Sequence, residues 1–598
     1  MTYSPPLKDI RFTLDEVAAI GGLKAQPVYA ELSDDLIYSV LSEAGKIAAE
    51  VFAPLNRAGD VNPAKLVDRG VRTSPGFKEA YDAFAAGGWL GLTADPDFGG
   101  AGLPHTIACA VYEMFNSANA SLTLGPILAL GAVDAISHHA SEELKRLYLP
   151  KIVSGEWLAT MNLTESQAGS DLSDLKTRAA PQADGSYRLF GSKIFISWGD
   201  HDLTDNIIHL VLARTPDAPE GSRGISLFLA PKILLNPDGS LGAANDLRCT
   251  RLEEKMGLHG SPTCAMSYGE KDGAVGYMIG AENKGLAAMF TMMNAERLFV
   301  GLQGVGVAER AYQAALSYAQ DRRQGRADVA AGTARLIDHP DVRRMLFAMK
   351  SKIEGARAIC YMTAIAADEA AVEENPEDRA FAKRREEFLT PIAKAWSTDM
   401  AIEASSLGVQ VHGGMGYVEE TGAAQYSRDA RVFAIYEGTN GIQAIDLVSR
   451  KLGLGNGAAL REVIADIRQS VEDCATSSSP ELKVIGERLG VACAAMEGAA
   501  HWLLDISATD RRAALSGATP FLALAGDVCA GWGLTISAVA AVRRLKEGDG
   551  DEAFLKGKIA IARFFADAIL VLAEGKAHDV RLGAEALFGV SDDALSSV

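Results

Sequence analysis

No HExxH, no GxxxxGKS or GxxxxGKT, no GxSxG and no zinc-spaced Cys/His set occurs in the 598 residues. That disfavours metal- or serine-based hydrolysis and P-loop nucleotide chemistry, and no metal site is expected. Cysteine is scarce: seven residues (109, 249, 264, 360, 474, 493 and 529), odd in number and without a CxxC pair, fit a reducing compartment. With only 21 prolines, no low-complexity tract and 48% hydrophobic residues, the chain can offset its conformational entropy by burial. Basic excess is also missing, since 58 Lys+Arg against 77 Asp+Glu leaves −19. Phosphate backbones and anionic lipid are repelled by such a protein, so nucleic acid is not an expected partner. A local basic patch could still hold a phosphorylated small molecule. The start, MTYSPPLKDIRFTLDE, lacks the basic opening and apolar core of a signal peptide, which makes the cytoplasm the expected location.

The length suits about three to five domains. Residues 36 to 155 read as helical, with Ser141 before Glu142 and Glu143 as a capped helix start. Between about 160 and 275 come short β-branched and aromatic runs, SYRLFGSKIFISW, NIIHLVLAR and GISLFLA, divided by Asp184-Gly185, Gly221 to Gly224 and Asp238-Gly239. Helical periodicity returns from Asn283 to about Gly455, and a further Ala-rich helical unit follows, broken at CATSSSPE (474–481). The expected fold class is α+β: an N-terminal helical domain (1–160), a central β-barrel-like domain (161–280), a helical bundle (281–455) and an extra C-terminal all-α domain (456–598). Phe521 to Val542 is apolar for about the ~20 residues a membrane span needs. Asp527 and the glycines 526, 531 and 533 favour a buried bundle helix instead, so no integral membrane segment is expected.

Two segments carry possible chemistry. MNLTESQAGSDL (161–172) places hydroxyls and small residues in a turn-prone order at the α-to-β junction, as either a cofactor cradle or a capped connection. IYEGTNGIQ (435–443) sets Glu437 beside Gly438 and Thr439 at a helix entry, as either a general base with a raised pKa or a dipole-stabilised glutamate. GVGVAER (304–310) lacks the third glycine of a dinucleotide fingerprint and follows a helical pattern, and HGGMG (412–416) is a weak signal alone.

Taken in order, LPKIVSGEW, NLTESQAGSDL, GSKIFIS, EEKMGLHGS, ENKGLAAMFTMMNAERL, DRRQ, QVHGGMGY and IYEGTNGIQ resemble the acyl-CoA dehydrogenase family. The C-terminal extension and the spacing in DRRQGR resemble its branch of longer chains that act on fatty acyl-CoAs and 3-(methylthio)propanoyl-CoA. The resemblance implies FAD as cofactor and α,β-dehydrogenation to a trans-2-enoyl-CoA, in β-oxidation-type fatty acid metabolism. Glu437 would be the base, with its own backbone N–H helping to hold the thioester oxygen. It places Met161, Leu163, Thr164, Gly169 and Ser170 at the flavin and its ribityl chain, and Phe195, Ile196 and Ser197 on the strand behind the ring, Phe195 standing where tryptophan is usual. It further implies Arg322 on the FAD diphosphate of a neighbouring subunit, Gln410, Gly413 and Gly414 near the adenosine end, and Thr439 as a flavin contact. Gly441 stands where a polar flavin contact is often found, and the phenylalanine usual after the arginine of DRRQ is absent. Ser170, Arg297, Tyr436 and Gly438 would meet the substrate; Arg297 could equally be a packing residue paired with Glu296 or Glu309. The implied partners are the acyl-CoA, an electron-transferring flavoprotein and a second copy in a homodimer, in preference to a tetramer. An acyl-CoA oxidase and a non-catalytic acyl-CoA-binding or scaffold protein are the rival readings.

Overall fold

The computed structural model describes residues 3–68, 70–327 and 332–596, so the first two residues of the N-terminal segment read above lie outside the described residues. By internal packing the chain forms one unit over Ser39–Phe299 and a second from Pro6–Tyr38 with everything from Val300 onward.

In the first unit, helix His105–His139 is buried along nearly its whole length. It breaks at Asn119 (φ −160°, ψ 89°), whose side-chain oxygen accepts from Leu122 N at 3.1 Å, an internal cap that restarts the helix. Ser141 caps Glu142–Val153 as expected, accepting from Leu144 N at 3.3 Å. The strands follow in chain order: β1 (Lys65–Val67) and β2 (Gly70–Arg72), a small hairpin; β3 (Leu158–Asn162), β4 (Arg178–Pro181), β5 (Tyr187–Ser197), β6 (Ile207–Ala213), β7 (Ser226–Pro231), β8 (Ile233–Leu235), β9 (Leu241–Ala244), β10 (Leu247–Leu252), β11 (Thr263–Tyr268) and β12 (Ala274–Ile279). Eight of them form one sheet in the order β10-β11-β5-β12-β7-β6-β3, with β4 on β5. Among the strand pairs of this sheet β3 and β6 run parallel, and the others described are antiparallel. The expected turns are present, with Gly185 at φ +83° and Gly239 at φ +82°. Leu189, Ile196, Val211, Phe228, Met266 and Tyr268 meet in the core of this sheet.

The second unit is helical. The part of helix Gly285–Asp321 from Val300 onward, Pro340–Val372 and Pro376–His412 are its long bundle helices, and the extension adds Ala458–Thr476, Pro480–Ser507, Ala518–Glu547 and Glu552–Ala568. Although the sequence pattern groups residues 1–160, Pro6–Tyr38 packs in this unit, burying Ile10, Phe12, Leu14, Ile20 and Leu23. Asp9 accepts from Lys350 Nζ and Lys558 Nζ, each at 2.6 Å; Lys558 also pairs with Glu354 at 3.0 Å, and Arg357 pairs with Glu309 at 3.2 Å.

Phe521–Val542 lies in Ala518–Glu547, whose most apolar window is 83% buried inside the protein. His105–His139 and Pro480–Ser507 are likewise long and apolar enough to cross a membrane by length and composition. The glycines of Ala518–Glu547 do more than lower helix propensity. A Cβ on Gly526 would lie 2.1 Å from Trp396, one on Gly531 2.8 Å from Leu570, and one on Gly533 2.5 Å from Ala358. These are sites of close helix approach. Asp527 accepts from Trp396 Nε1 at 3.0 Å and pairs with Lys576. Helix Glu552–Ala568 stops at Ala568, and Leu570 just beyond it packs over Gly531.

Candidate active site

Among the described residues, eight non-glycine positions have positive φ, and two of them, Phe195 and Glu437, are candidate site residues read from the sequence. Phe195 has φ +59° and Glu437 φ +54°, where a side chain costs about 1–2 kcal/mol per residue. Such strain persists only where surrounding structure enforces it.

In the β-sheet unit the cause is a bulge. Cys264 pairs with Ile196 and Met266 with Lys193, so Ile194 and Phe195 together oppose the single residue Ala265. The extra residue redirects the strand's side chains: Ile196 turns into the core, while the Phe195 ring is 60% exposed. Ser197 continues the strand, its carbonyl accepting from Thr160 Oγ1 at 2.7 Å. Beside it, the segment leaving β3 makes a tight turn in which Glu165 and Ala168 exchange main-chain bonds at 2.8 and 3.0 Å. Met161 is buried, Leu163 and Thr164 half-buried, and Gly169 and Ser170 exposed. Ile194 N donates to Thr164 O at 2.9 Å, tying loop to bulge.

Glu165 and Lys193 reinforce that tie and were not singled out from sequence. Lys193 Nζ donates to Glu165 Oε1 at 2.9 Å and to Leu163 O at 3.0 Å. Burial pushes the Glu165 carboxyl up, but the Lys193 charge and hydrogen bonds from Thr177 and Lys176 N outweigh it and bring it to about 2. Burial, only partly offset by Glu165, pushes the Lys193 ammonium down to about 8, so both groups remain charged at neutral pH. A readable signal existed: Lys193 shares a strand face with Leu189 and Gly191, and a lysine in that series points inward. Beneath the loop, Tyr268 donates to Asn162 Oδ1 at 2.7 Å and Asn162 Nδ2 lies 3.2 Å from His209 Nδ1, an imidazole that burial pushes down to about 3.

Arg297, in the same unit, is buried, bonded to Asn294 at 3.4 Å and 6.0 Å over the Phe290 ring. Glu309, one of its two suggested partners, pairs with Arg357 and Lys350.

In the helical unit, Glu437 and Gly438 (φ +82°) form a left-handed pair at the entry to helix Asn440–Asp446. Thr439 caps that helix, its hydroxyl accepting from Ile442 N at 3.3 Å. Gln443 Nε2 donates to the carbonyls of Glu437 (3.2 Å) and Gly438 (3.4 Å). The buried Lys394 donates to Gly438 O and Asn440 Oδ1, each at 2.9 Å. Tyr436 donates to Gln303. Lys394, Gln443 and Gln303 carry no motif that would mark them in a sequence. Gln410, Gly413 and Gly414 are exposed at the end of helix Pro376–His412, where Gly413 has φ +59° and neither glycine has an atom within 4 Å of a built Cβ. Arg322 is exposed just past helix Gly285–Asp321.

Taken by itself, the first unit sets an exposed aromatic side chain beside hydroxyls and an exposed glycine, surroundings that suit a planar ring; the second by itself presents an open glycine turn and the exposed Arg322, which suit a polar group. The carboxylate has its main chain anchored at two successive carbonyls, which suits a base that must be held in place.

Sequence profiles of the acyl-CoA dehydrogenase N-terminal, middle and C-terminal domains match residues 57–156, 160–270 and 283–452, and an acetyl-CoA dehydrogenase C-terminal-like profile matches 463–591. The 3-methylmercaptopropionyl-CoA dehydrogenase of Ruegeria pomeroyi is 46% identical over 574 residues, covering 96% of each chain. In fold, the chain is similar to Caenorhabditis elegans ACDH-11, solved with C11-CoA (TM-score 0.79, 19% identity, covering 100% of this chain and 97% of that one). It is also similar to an acyl-CoA dehydrogenase of Bacillus anthracis solved with FAD (TM-score 0.75, 19% identity, 92% and 88%). Profiles in unbroken order and a relative matched from end to end give one conclusion: the chain belongs to the acyl-CoA dehydrogenase family of FAD-dependent oxidoreductases.

Proposed function

We propose that the enzyme oxidises the Cα–Cβ bond of an acyl-CoA thioester to a trans-2-enoyl-CoA, with Glu437 as the base. The observation that carries this reading is the left-handed Glu437–Gly438 pair, held by Gln443 and Lys394. Anchoring both carbonyls fixes the carboxylate's origin, so that an oxygen of Glu437 can receive the α-proton without reorganising the loop. The Glu437 N–H is the proposed donor to the thioester oxygen, where negative charge grows as the proton leaves. When bound, FAD supplies the hydride acceptor. Met161, Leu163, Thr164, Gly169, Ser170 and the Phe195–Ser197 strand would hold its flavin half. Arg322 would reach the FAD diphosphate of a neighbouring subunit, Gln410, Gly413 and Gly414 would lie near the adenosine end, and Thr439 would be a flavin contact, its hydroxyl able to donate while accepting from Ile442 N. Ser170, Arg297, Tyr436 and Gly438 are the proposed substrate contacts.

The Ruegeria relative supports 3-(methylthio)propanoyl-CoA as substrate, and relatives named for butyryl-CoA and linear acyl-CoAs support a fatty acyl-CoA instead. Electrons would pass to an electron-transferring flavoprotein. The exposed Arg322 supports a homodimer in which it meets a neighbour's diphosphate, and seven free, buried cysteines support a cytoplasmic setting.

The test is the visible spectrum under anaerobic conditions before and after adding butyryl, octanoyl, palmitoyl and 3-(methylthio)propanoyl thioesters. Wild type bleaches with its substrates. Glu437→Gln keeps FAD and bleaches about 10²–10⁴-fold more slowly, the range a general base supplies. Bleaching of the variant at the wild-type rate would falsify Glu437 as the base. Oxygen consumption in turnover identifies an oxidase, and a purified protein that lacks any yellow chromophore identifies a binding protein.

A further inference from the structure

Lys193 has no exposed surface and its partner Glu165 is 5% exposed. Lysine is among the residues least often buried, and exchanging a buried ion pair for apolar side chains of similar volume is often neutral or stabilising. Stability alone therefore gives no reason for charges here.

What an apolar pair lacks is direction. The Glu165 carboxylate accepts from Lys193 Nζ, from Gln167 Nε2 at 2.6 Å, from Lys176 N at 2.8 Å, from Thr177 N at 3.0 Å and from the Thr177 hydroxyl. Lys193 Nζ spends a further proton on Leu163 O. Three stretches of chain thus meet at one pair: the loop after β3, the entry to β4, and the residue that precedes the bulge carrying Phe195. The next residue, Ile194, adds its main-chain bond to Thr164 O.

We infer that Lys193 and Glu165 are positioning residues for FAD: they fix the Leu163–Thr164 main chain relative to the Phe195 ring, so that the cofactor meets a preset face instead of a mobile loop. This rests on the reading of those segments as flavin-binding. Preorganisation of this kind lowers the ordering cost of binding, and it is lost if either charge is removed.

The experiment follows the release of FAD from purified holoenzyme on dilution, read by recovery of flavin fluorescence, in wild type, Lys193→Met, Glu165→Gln, the double variant and Phe195→Ala. Each single change at the pair is expected to weaken FAD retention about 10–100-fold, as loss of an outer partner commonly does for a bound metal. The double variant should be no worse than the weaker single, because the two act as one unit. Retention within twofold of wild type in folded Lys193→Met, with Phe195→Ala weakened, overturns the inference and leaves the flavin reading standing. Retention unchanged in Phe195→Ala as well overturns that reading too. If Lys193→Met and Glu165→Gln do not fold, Thr177→Val, which removes one donor to Glu165 and no charge, decides by the same measurement: about threefold weaker retention supports the inference and none refutes it.

Discussion

Replacing Asp9 by alanine removes the carboxylate that lies between two ammonium groups. Lys558 has a side chain only 3% exposed and Lys350 one 15% exposed, and Asp9 reaches each at 2.6 Å. Breaking one partner out of a buried pair costs about 3–5 kcal/mol, because the surviving charge is left without compensation. Here Lys558 keeps Glu354 at 3.0 Å and Lys350 keeps Glu354 at 3.5 Å and Glu309 at 3.9 Å, which puts the expected loss near the lower end, about 3 kcal/mol. Burial pushes the Asp9 carboxyl up, but Lys350, Lys558 and Arg357 outweigh it and hold the group far below the usual carboxylate range. A depressed carboxyl contributes its full stability above its unfolded pKa of about 4, and loses it as pH falls through the folded value. Urea unfolding at neutral pH, with pulse proteolysis to follow Pro6–Tyr38, should show the loss in Asp9→Ala and a smaller combined effect when Lys558→Met is added. A cost under about 1 kcal/mol, or strict additivity in the double variant, would refute the account.

Gly526→Ala places a methyl group 2.1 Å from Trp396 and should destabilise the helical unit by about 1–3 kcal/mol or more in denaturant melts; an unchanged midpoint would show that the helices separate freely. Lys394→Met removes the donor to Gly438 O and Asn440 Oδ1, each a charged hydrogen bond of about 1.5–3 kcal/mol. We expect kcat at least tenfold lower with FAD retained and KM little moved, and a pure KM effect would contradict a role in holding the base. Glu165, held at about 2, contributes stability that is complete above its unfolded pKa near 4.5 and is lost as pH falls through about 2. The difference in unfolding free energy between wild type and Glu165→Gln should therefore shrink over that window by about 3 kcal/mol, and a difference independent of pH would remove the ion pair from the explanation.

Much of the architecture was legible because it is written in periodicity and capping. The strands at 187–197 and 207–213, the Ser141 cap and the break at 474–481 all follow from local pattern. The resemblance pointed to Glu437 and Phe195, but their left-handed backbones were not legible. GSKIFIS is rich in β-branched and aromatic residues like an ordinary strand, and the bulge arises from its register against Cys264 and Met266, far along the chain. The glycines 526, 531 and 533 were read for what they cost a helix and not for the neighbours they admit. Pro6–Tyr38 could not be assigned to the C-terminal half by pattern, since the partner that decides it, Lys558, is an unremarkable lysine in an amphipathic helix.

The Asp9–Lys558 contact joins positions 549 residues apart. At about 5–20 residues per second, the ribosome delivers the second partner roughly half a minute to two minutes after the first. During that interval Ser39–Phe299 has nearly all its own contacts available, whereas the unit that buries Ile10, Phe12, Leu14, Ile20 and Leu23 is still incomplete. Pro6–Tyr38 thus completes its packing only after residues more than five hundred positions downstream have been made, and a chaperone that shields short apolar segments would have its longest task there.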